Sequence, residues 1–204
     1  MAAQILFITG TDTGVGKTVF AALLTRHLRQ QGVRAVALKP ICTGDRDDAR
    51  ALRLAAGKVL ALDEVNPWHF RAALAPLLAA RKERKRVGLR EVVAHVRHVG
   101  KPFDVIVVEG AGGLLSPLGE GFDSRDLIVA LRAKPIVVCP NRLGAVNQAL
   151  LVLNALPRAV AARALVVLVS PRKSDPASRT NPKLLAEILG ARRVLVLPWL
   201  EFKL

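Results

Sequence analysis

Four residues carry a charge or a hydroxyl where the surrounding sequence is apolar or rich in glycine: Lys17, Thr18, Lys39 and Glu109. Lys17 and Thr18 end the stretch "GTDTGVGKT", Gly10 to Thr18, which lies between an apolar run and a helical pattern. Gly14 and Gly16 free successive backbone N–H groups to turn toward an anion, and the start of the following helix adds partial positive charge. Lys17 is placed to reach terminal phosphates and the Thr18 hydroxyl to ligate Mg²⁺. The strict phosphate-loop pattern G-x-x-x-x-G-K-[ST] requires a glycine at position 11, where the chain has Thr11; Gly10 stands one residue early. Glu109 closes the apolar run "FDVIVVE" just before "GAGG", and an acid there is costly to bury unless it is paired or beside a metal. Asp48 is the second carboxylate expected at the metal, in the first turn of a helix capped by Asp45. Lys39 ends the run "RAVALK"; with Lys17 it sets two cations around a transferring phosphoryl group, where developing charge needs fixed countercharge.

The remaining sequence supplies elements that can hold these residues together. Six short runs, 4–9, 34–39, 103–109, 134–139, 164–169 and 193–198, are continuously apolar, as strands of a parallel sheet buried on both faces must be. Helical spacing fills the gaps: Phe20, Leu23, Leu24 and Leu28 form one face before Gly32, and Leu89, Val92, Val93 and Val96 form another before Gly100. Val146, Ala149, Leu150 and Leu153 form a third, ended by Pro157. Asn181–Pro182 is expected to start the last helix, which Gly190 closes. The least regular segment runs from Leu60 to Val87. The series predicts a single α/β domain over residues 1–204, three-layered, with a mostly parallel sheet covered by helices on both faces. In such sheets ligands bind beyond the carboxyl ends of the strands, and "TGTDTGVGKT", "KPICTGDRDD", "EGAGGLLSP", "PNRLGAVN" and "SPRKSDP" follow them here.

Composition excludes several other classes. No apolar run approaches the ~20 residues that span a membrane, and the N-terminus lacks a signal-peptide pattern, so a soluble cytoplasmic protein is expected. Cys42 and Cys139 have no partners at metal-ligand spacing and are expected to be reduced and buried. His95 and His98 share a helix without a carboxylate to complete a metal site. A formal charge of +15 attracts polyanions, but its densest cluster, "RKERKR" at 81–86, has no interleaved aromatics to stack bases, which disfavours nucleic acid and favours a solvated face.

With "KPICTG", "VNPWHF", "VVEGAGGLLSPL", "NRLGAVNQALL" and "LPWL" following in order, the chain resembles the dethiobiotin synthetases over nearly its whole length. That family's loop has the form G-T-D-T-x-V-G-K-T, so the early glycine is its own variant of the phosphate loop in a P-loop NTPase-like fold. The resemblance implies an ATP- and Mg²⁺-dependent ligase of biotin synthesis. CO₂ (or bicarbonate as its source) forms a carbamate on 7,8-diaminononanoate, ATP phosphorylates it, and the second amine closes the ring, releasing ADP and phosphate. It assigns catalytic roles to Lys39, Lys17 and Thr13, and Mg²⁺ to Thr18, Asp48 and Glu109. Nucleotide contacts fall on Gly14, Val15, Gly16, Lys17, Thr18, Val19, Asp48, Glu109, Gly110, Ala111, Gly112, Ser170, Pro171 and Pro198. Substrate contacts fall on Thr13, Lys39, Thr43 and Asn147, the last reaching across the interface of a homodimer. Ser170–Pro171 stand where the family usually has asparagine, often followed by aspartate. Serine bonds to a base but lacks the two-point amide contact.

The rival reading is a nucleotide-dependent switch of the partition or septum-positioning type, binding DNA or membrane. Such proteins carry a signature lysine five residues before the loop lysine; this chain has Asp12 there, of opposite charge. Amidoligases related to cobyrinate synthesis usually carry a glutamine-hydrolysing domain for which this length leaves no room. A relative that only binds nucleotide is disfavoured by Lys17, Lys39 and Glu109 together.

Overall fold

All six apolar runs form strands of one sheet in the computed structural model, which describes residues 3–200; residues 1, 2 and 201–204 of the expected 1–204 domain lie outside that range. The strands are β1 (Gln4–Gly10), β2 (Ala35–Leu38), β3 (Val105–Glu109), β4 (Lys134–Pro140), β5 (Leu165–Val169) and β6 (Val194–Leu197). They run in the order β6-β5-β4-β1-β3-β2, and every adjacent pair is parallel.

Helices cover both faces. α1 (Lys17–Gln30) and α2 (Asp47–Ala55) lie on one, where Ala21, Ala22 and Leu52 pack on Ile8, Val107 and Val138. On the other lie α3 (Leu89–Gly100), α4 (Ser124–Leu131), α5 (Ala145–Asn154) and α6 (Pro176–Leu189), packing Val92, Val96, Leu127, Leu153 and Leu185 against Phe7, Val108 and Val137. Adjacent residues Phe7 and Ile8 thus serve opposite cores, which is why none of these six strands has a polar face.

Three local expectations are corrected. On α1 the deepest residues are Ala21, Ala22 and Thr25, while Phe20, Leu24 and Leu28 are half-buried flanks. Small side chains let the helix approach the sheet closely, and the Thr25 hydroxyl is satisfied by donating to the Ala21 carbonyl at 2.7 Å. Arg46, not Asp45, is the cap residue of α2; the Asp45 carboxylate instead accepts from the Asp47 N–H at 3.1 Å. The last helix starts at Pro176, six residues before Pro182, because the Asp175 carboxylate caps it, accepting from the Ser178 N–H at 2.6 Å. Pro182 therefore sits inside α6 and cannot donate to the Ser178 carbonyl. That carbonyl is satisfied instead by the Asn141 side-chain amide at 2.8 Å.

The segment from Leu60 to Val87 holds more structure than its composition suggests. Trp68–Phe70 pairs in parallel with Ile41–Thr43, and short helices span Leu62–Val65 and Pro76–Lys82. The "RKERKR" run straddles the end of the second of these. Arg81 there donates two bonds to Glu120 at 2.8 and 2.9 Å, and Lys85 pairs with Glu83. Cys42 and Cys139 are free and buried, and His95 bonds to the Glu64 carbonyl beside Trp68, which gives it a packing role.

Candidate active site

Strand register brings the charged residues together. Leu38 of β2 stands opposite Val108 of β3, so Lys39 emerges beside Glu109, while Ile8 of β1 stands opposite Glu109 itself. The loop after β1 thus begins next to both. Gly16, with φ 95°, caps α1 in the left-handed region that glycine tolerates at least cost, and Gly14 is left-handed too at φ 71°.

The early glycine has a steric cause. A Cβ on Gly10 would sit 2.7 Å from Val15 Cγ2, so Val15 closes the loop onto a residue that has room for no side chain. Gly10→Ala is expected to cost about 1–3 kcal/mol by denaturant unfolding. Adding Val15→Ala should recover part of that loss; a Gly10→Ala variant as stable as the parent would remove this account.

At the centre Lys39 is 4 % exposed and Glu109 1 %. The Lys39 ammonium donates to Glu109 Oε1 at 2.5 Å and to Asp48 Oδ2 at 2.8 Å, and the Thr18 hydroxyl donates to the same Glu109 oxygen at 2.9 Å. The backbone of Lys39 is clamped too: its N–H donates to the Val65 carbonyl and its carbonyl accepts from Asn66. Burial pushes the Lys39 pKa down, but Glu109 and Asp48 outweigh it and hold the ammonium above the usual lysine range. Burial pushes the Glu109 carboxyl up. For Asp48 burial works the same way, but Lys39 outweighs it and holds the carboxyl below its usual value. Lys17, also buried, donates to the Asp12 carbonyl at 2.7 Å. Burial first, and then the neighbouring Lys39 charge, lower its pKa to about 8, so an incoming phosphate would restore full charge.

Glu109 Oε2 is buried without a hydrogen-bond partner. An unpartnered carboxylate oxygen beside a hydroxyl and a second carboxylate suits a hard divalent cation. Among the described residues no group of three or more His, Cys, Asp or Glu is gathered for a metal. The set therefore suits an ion that keeps waters and phosphate oxygens as ligands, as Mg²⁺ does.

Two cavities meet at the loop. One, about 760 Å³, is lined by Thr13, Lys17, Thr18, Lys39, Thr43, Asp48, Glu109, Ala111 and Gly112 among others. The second, about 740 Å³, shares Gly14, Gly16 and Val19 with it and extends past Val15 to Ser170, Pro171 and Pro198. Two of the expected residues line neither cavity. Gly110 is buried behind the cleft, its N–H donating to the Ile8 carbonyl, and Asn147 is exposed on α5. The motifs do not single out Ser116, Arg142 or Trp199, which do line the cavities. "EGAGGLLSP", "PNRLGAVN" and "LPWL" follow strands and so held the signal for all three. Asp12 is exposed, and its carboxylate accepts from the Thr13 N–H within its own loop.

Known proteins match this chain in sequence and in fold. The family described as an AAA domain matches residues 4–202. An ATP-dependent dethiobiotin synthetase of Anaeromyxobacter sp. (strain K) is 39 % identical, the match covering 95 % of this chain and 89 % of the relative. Those of Akkermansia muciniphila (42 %; 73 % and 70 % covered) and Bacillus licheniformis (34 %; 96 % and 86 %) match as well. Among solved structures, the signal recognition particle receptor FtsY of Elizabethkingia anophelis superposes with a TM-score of 0.56 at 14 % identity, covering 96 % of this chain and 56 % of that one. The 54 kDa signal recognition particle protein of Aeropyrum pernix gives 0.53 at 15 %, with 97 % and 42 % covered. These two longer chains share the fold alone.

Proposed function

From the premise that this chain belongs to the family of ATP-dependent dethiobiotin synthetases, we infer how its cleft performs the reaction. It is an ATP-dependent ligase of biotin synthesis that closes the ring of dethiobiotin from 7,8-diaminononanoate and CO₂. One amine adds CO₂ and loses a proton to give a carbamate. A carbamate oxygen attacks the γ-phosphorus and displaces ADP, giving a carbamic–phosphoric anhydride. The second amine attacks the anhydride carbon and loses its proton; the ring closes and phosphate leaves.

The observation that carries the residue assignments is the buried Lys39 ammonium at the strand ends, in the same cavity as Lys17. Bringing a carbamate onto a triphosphate joins two anions, and two fixed, buried cations offset that repulsion. Lys17 draws the γ-phosphate, Lys39 meets the carbamate as it becomes phosphorylated, and the Thr13 and Thr43 hydroxyls orient the substrate. Ala111 and Gly112 form the wall beside Thr13, and Gly110 holds that wall to β1. Thr18, Asp48 and Glu109 hold Mg²⁺, whose chemistry is to screen the phosphate oxygens and polarise the γ-phosphorus.

The whole chain, 1–204, works as one domain and pairs with a second copy. Asn147 lies on the outer side of α5, in a surface bearing Leu143 at 83 % and Leu151 at 59 % exposure. Apolar exposure of that kind suits a subunit interface, across which Asn147 reaches the partner's substrate. A reaction that consumes ATP suits the cytoplasm. No described helix is long and apolar enough to cross a membrane.

Purified protein is expected to release ADP only when 7,8-diaminononanoate and bicarbonate are both present with Mg²⁺. ADP release indifferent to the diamine but stimulated by DNA or lipid would replace this reading with the switch.

A further inference from the structure

We propose that Asn66, held by Arg46, is a positioning residue for the ring-closing reaction: it fixes the backbone at Lys39 and so keeps the ammonium at the reacting groups. This rests on the functional reading above for the task of Lys39.

Lys39 stands where the sheet gives it least support. β2 is the edge strand, and its pairing with β3 ends at Leu38. Lys39 and Pro40 are buried beyond that point, and Pro40 has no N–H to continue a ladder. Their carbonyls need donors from elsewhere. The ammonium ends a flexible four-carbon stem, so it keeps its place only while the backbone keeps its own.

Asn66 supplies the missing partner. Its Nδ2 donates to the Lys39 carbonyl at 2.8 Å and, less closely, to the Pro40 carbonyl at 3.4 Å. On either side of it, the Val65 carbonyl accepts the Lys39 N–H at 3.0 Å and the Trp68 N–H donates to the Pro40 carbonyl at 3.1 Å. The orientation of the amide follows from its neighbours: the two carbonyls require a donor, and Oδ1 accepts from Arg46 Nε at 3.0 Å. A second guanidinium nitrogen of Arg46 donates to the backbone carbonyls of Asn66 at 2.8 Å and Leu62 at 3.2 Å. Arg46 is also the cap residue of α2, two positions before Asp48, and Asp48 accepts from the Lys39 ammonium. Lys39, Asn66, Arg46 and Asp48 thus close a ring of contacts that holds the lysine by its backbone and by its tip. Asn66 is 1 % exposed and lines neither cavity, so it acts through Lys39 and not on the substrate. That gives "VNPWHF" a task, which none of the residues assigned to the cleft does.

Two substitutions test the clamp. Asn66→Asp keeps the shape and the acceptor for Arg46 but replaces the donor to Lys39 with an oxygen; Arg46→Ala, at a partly exposed position, loosens Asn66 from behind. In Asn66→Asp, kcat is expected to fall by about 10–100-fold, the cost typical of residues that support a reacting group. ADP affinity without Mg²⁺ should change by less than about threefold, because the phosphate loop is untouched. Arg46→Ala should lower kcat several-fold. In a Lys39→Ala background neither substitution should lower the residual rate by more than about twofold, since both act through the missing side chain. A further tenfold loss there would overturn the proposal, as would a folded Asn66→Asp protein with kcat within threefold of the parent. Amide hydrogen exchange needs no turnover. The Lys39 and Trp68 N–H groups should exchange at least about tenfold faster in either variant, with β1 and β4 unchanged; unaltered exchange at Lys39 would also overturn it. ADP release by the parent that ignores the diamine refutes the ligase reading, and faster exchange in the variants then leaves the clamp standing.

Discussion

Lys39→Ala is expected to lose turnover by about 10³-fold while ADP affinity changes by less than about tenfold. The first figure is the order expected when a preorganised charge facing a reacting phosphoryl group is removed. The second follows because Lys17, the loop amides and the cavity beyond Gly16 remain. A second, separate effect accompanies these. Without Lys39, Glu109 is a buried carboxylate facing Asp48 with no cation between them, and removing one partner of a buried pair costs about 3–5 kcal/mol. The denaturation midpoint should fall, and added Mg²⁺ should recover part of it. Pairing Lys39→Met with Glu109→Gln removes both charges, and should restore stability without restoring turnover. Steady-state ADP release, calorimetry and denaturant titration read these separately. A folded Lys39→Ala protein that retains more than a tenth of parental turnover would end the role given to this residue.

The second large effect belongs to Glu109→Gln. The substitution keeps shape and leaves an oxygen for Lys39 and Thr18 to bond, but removes the negative charge aimed at the metal. Turnover is expected to drop by about 10²–10³-fold. The half-saturating Mg²⁺ concentration should rise by more than about tenfold, as loss of a direct ligand exceeds the 10–100-fold cost typical of supporting residues. Nucleotide binding provides the check that does not depend on turnover. Mg²⁺ should tighten ADP on the parent and leave the variant nearly unchanged; equal tightening in both would remove Glu109 from the metal set.

Much of the placement of these residues is legible in the sequence, for a physical reason. A buried parallel strand must be apolar throughout, so a lysine or glutamate at its end stands out, and Lys39 and Glu109 both do. Loop chemistry is equally local: GVGKT carries its own glycines and cation. Strand order was not legible, because parallel neighbours such as β2 and β3 are separated by some seventy residues and nothing in either names the other. The start of α6 misled for a related reason. Asn181–Pro182 and Asp175–Pro176 are both plausible helix openings, and the choice turns on Asn141, forty residues away, satisfying the carbonyl that Pro182 orphans. The commitment of Asn141 was invisible for the same reason.

The pairing frame of β2 on β3 has its own consequence. Because alternate residues of a strand face opposite sides, sliding β2 by a single position would carry the ammonium away from its carboxylate and leave Glu109 without its cation at the strand ends. A misaligned chain would thus pay at once in electrostatics, well before any substrate arrives. The groups to which we assign the chemistry therefore also proofread the assembly of the sheet that carries them.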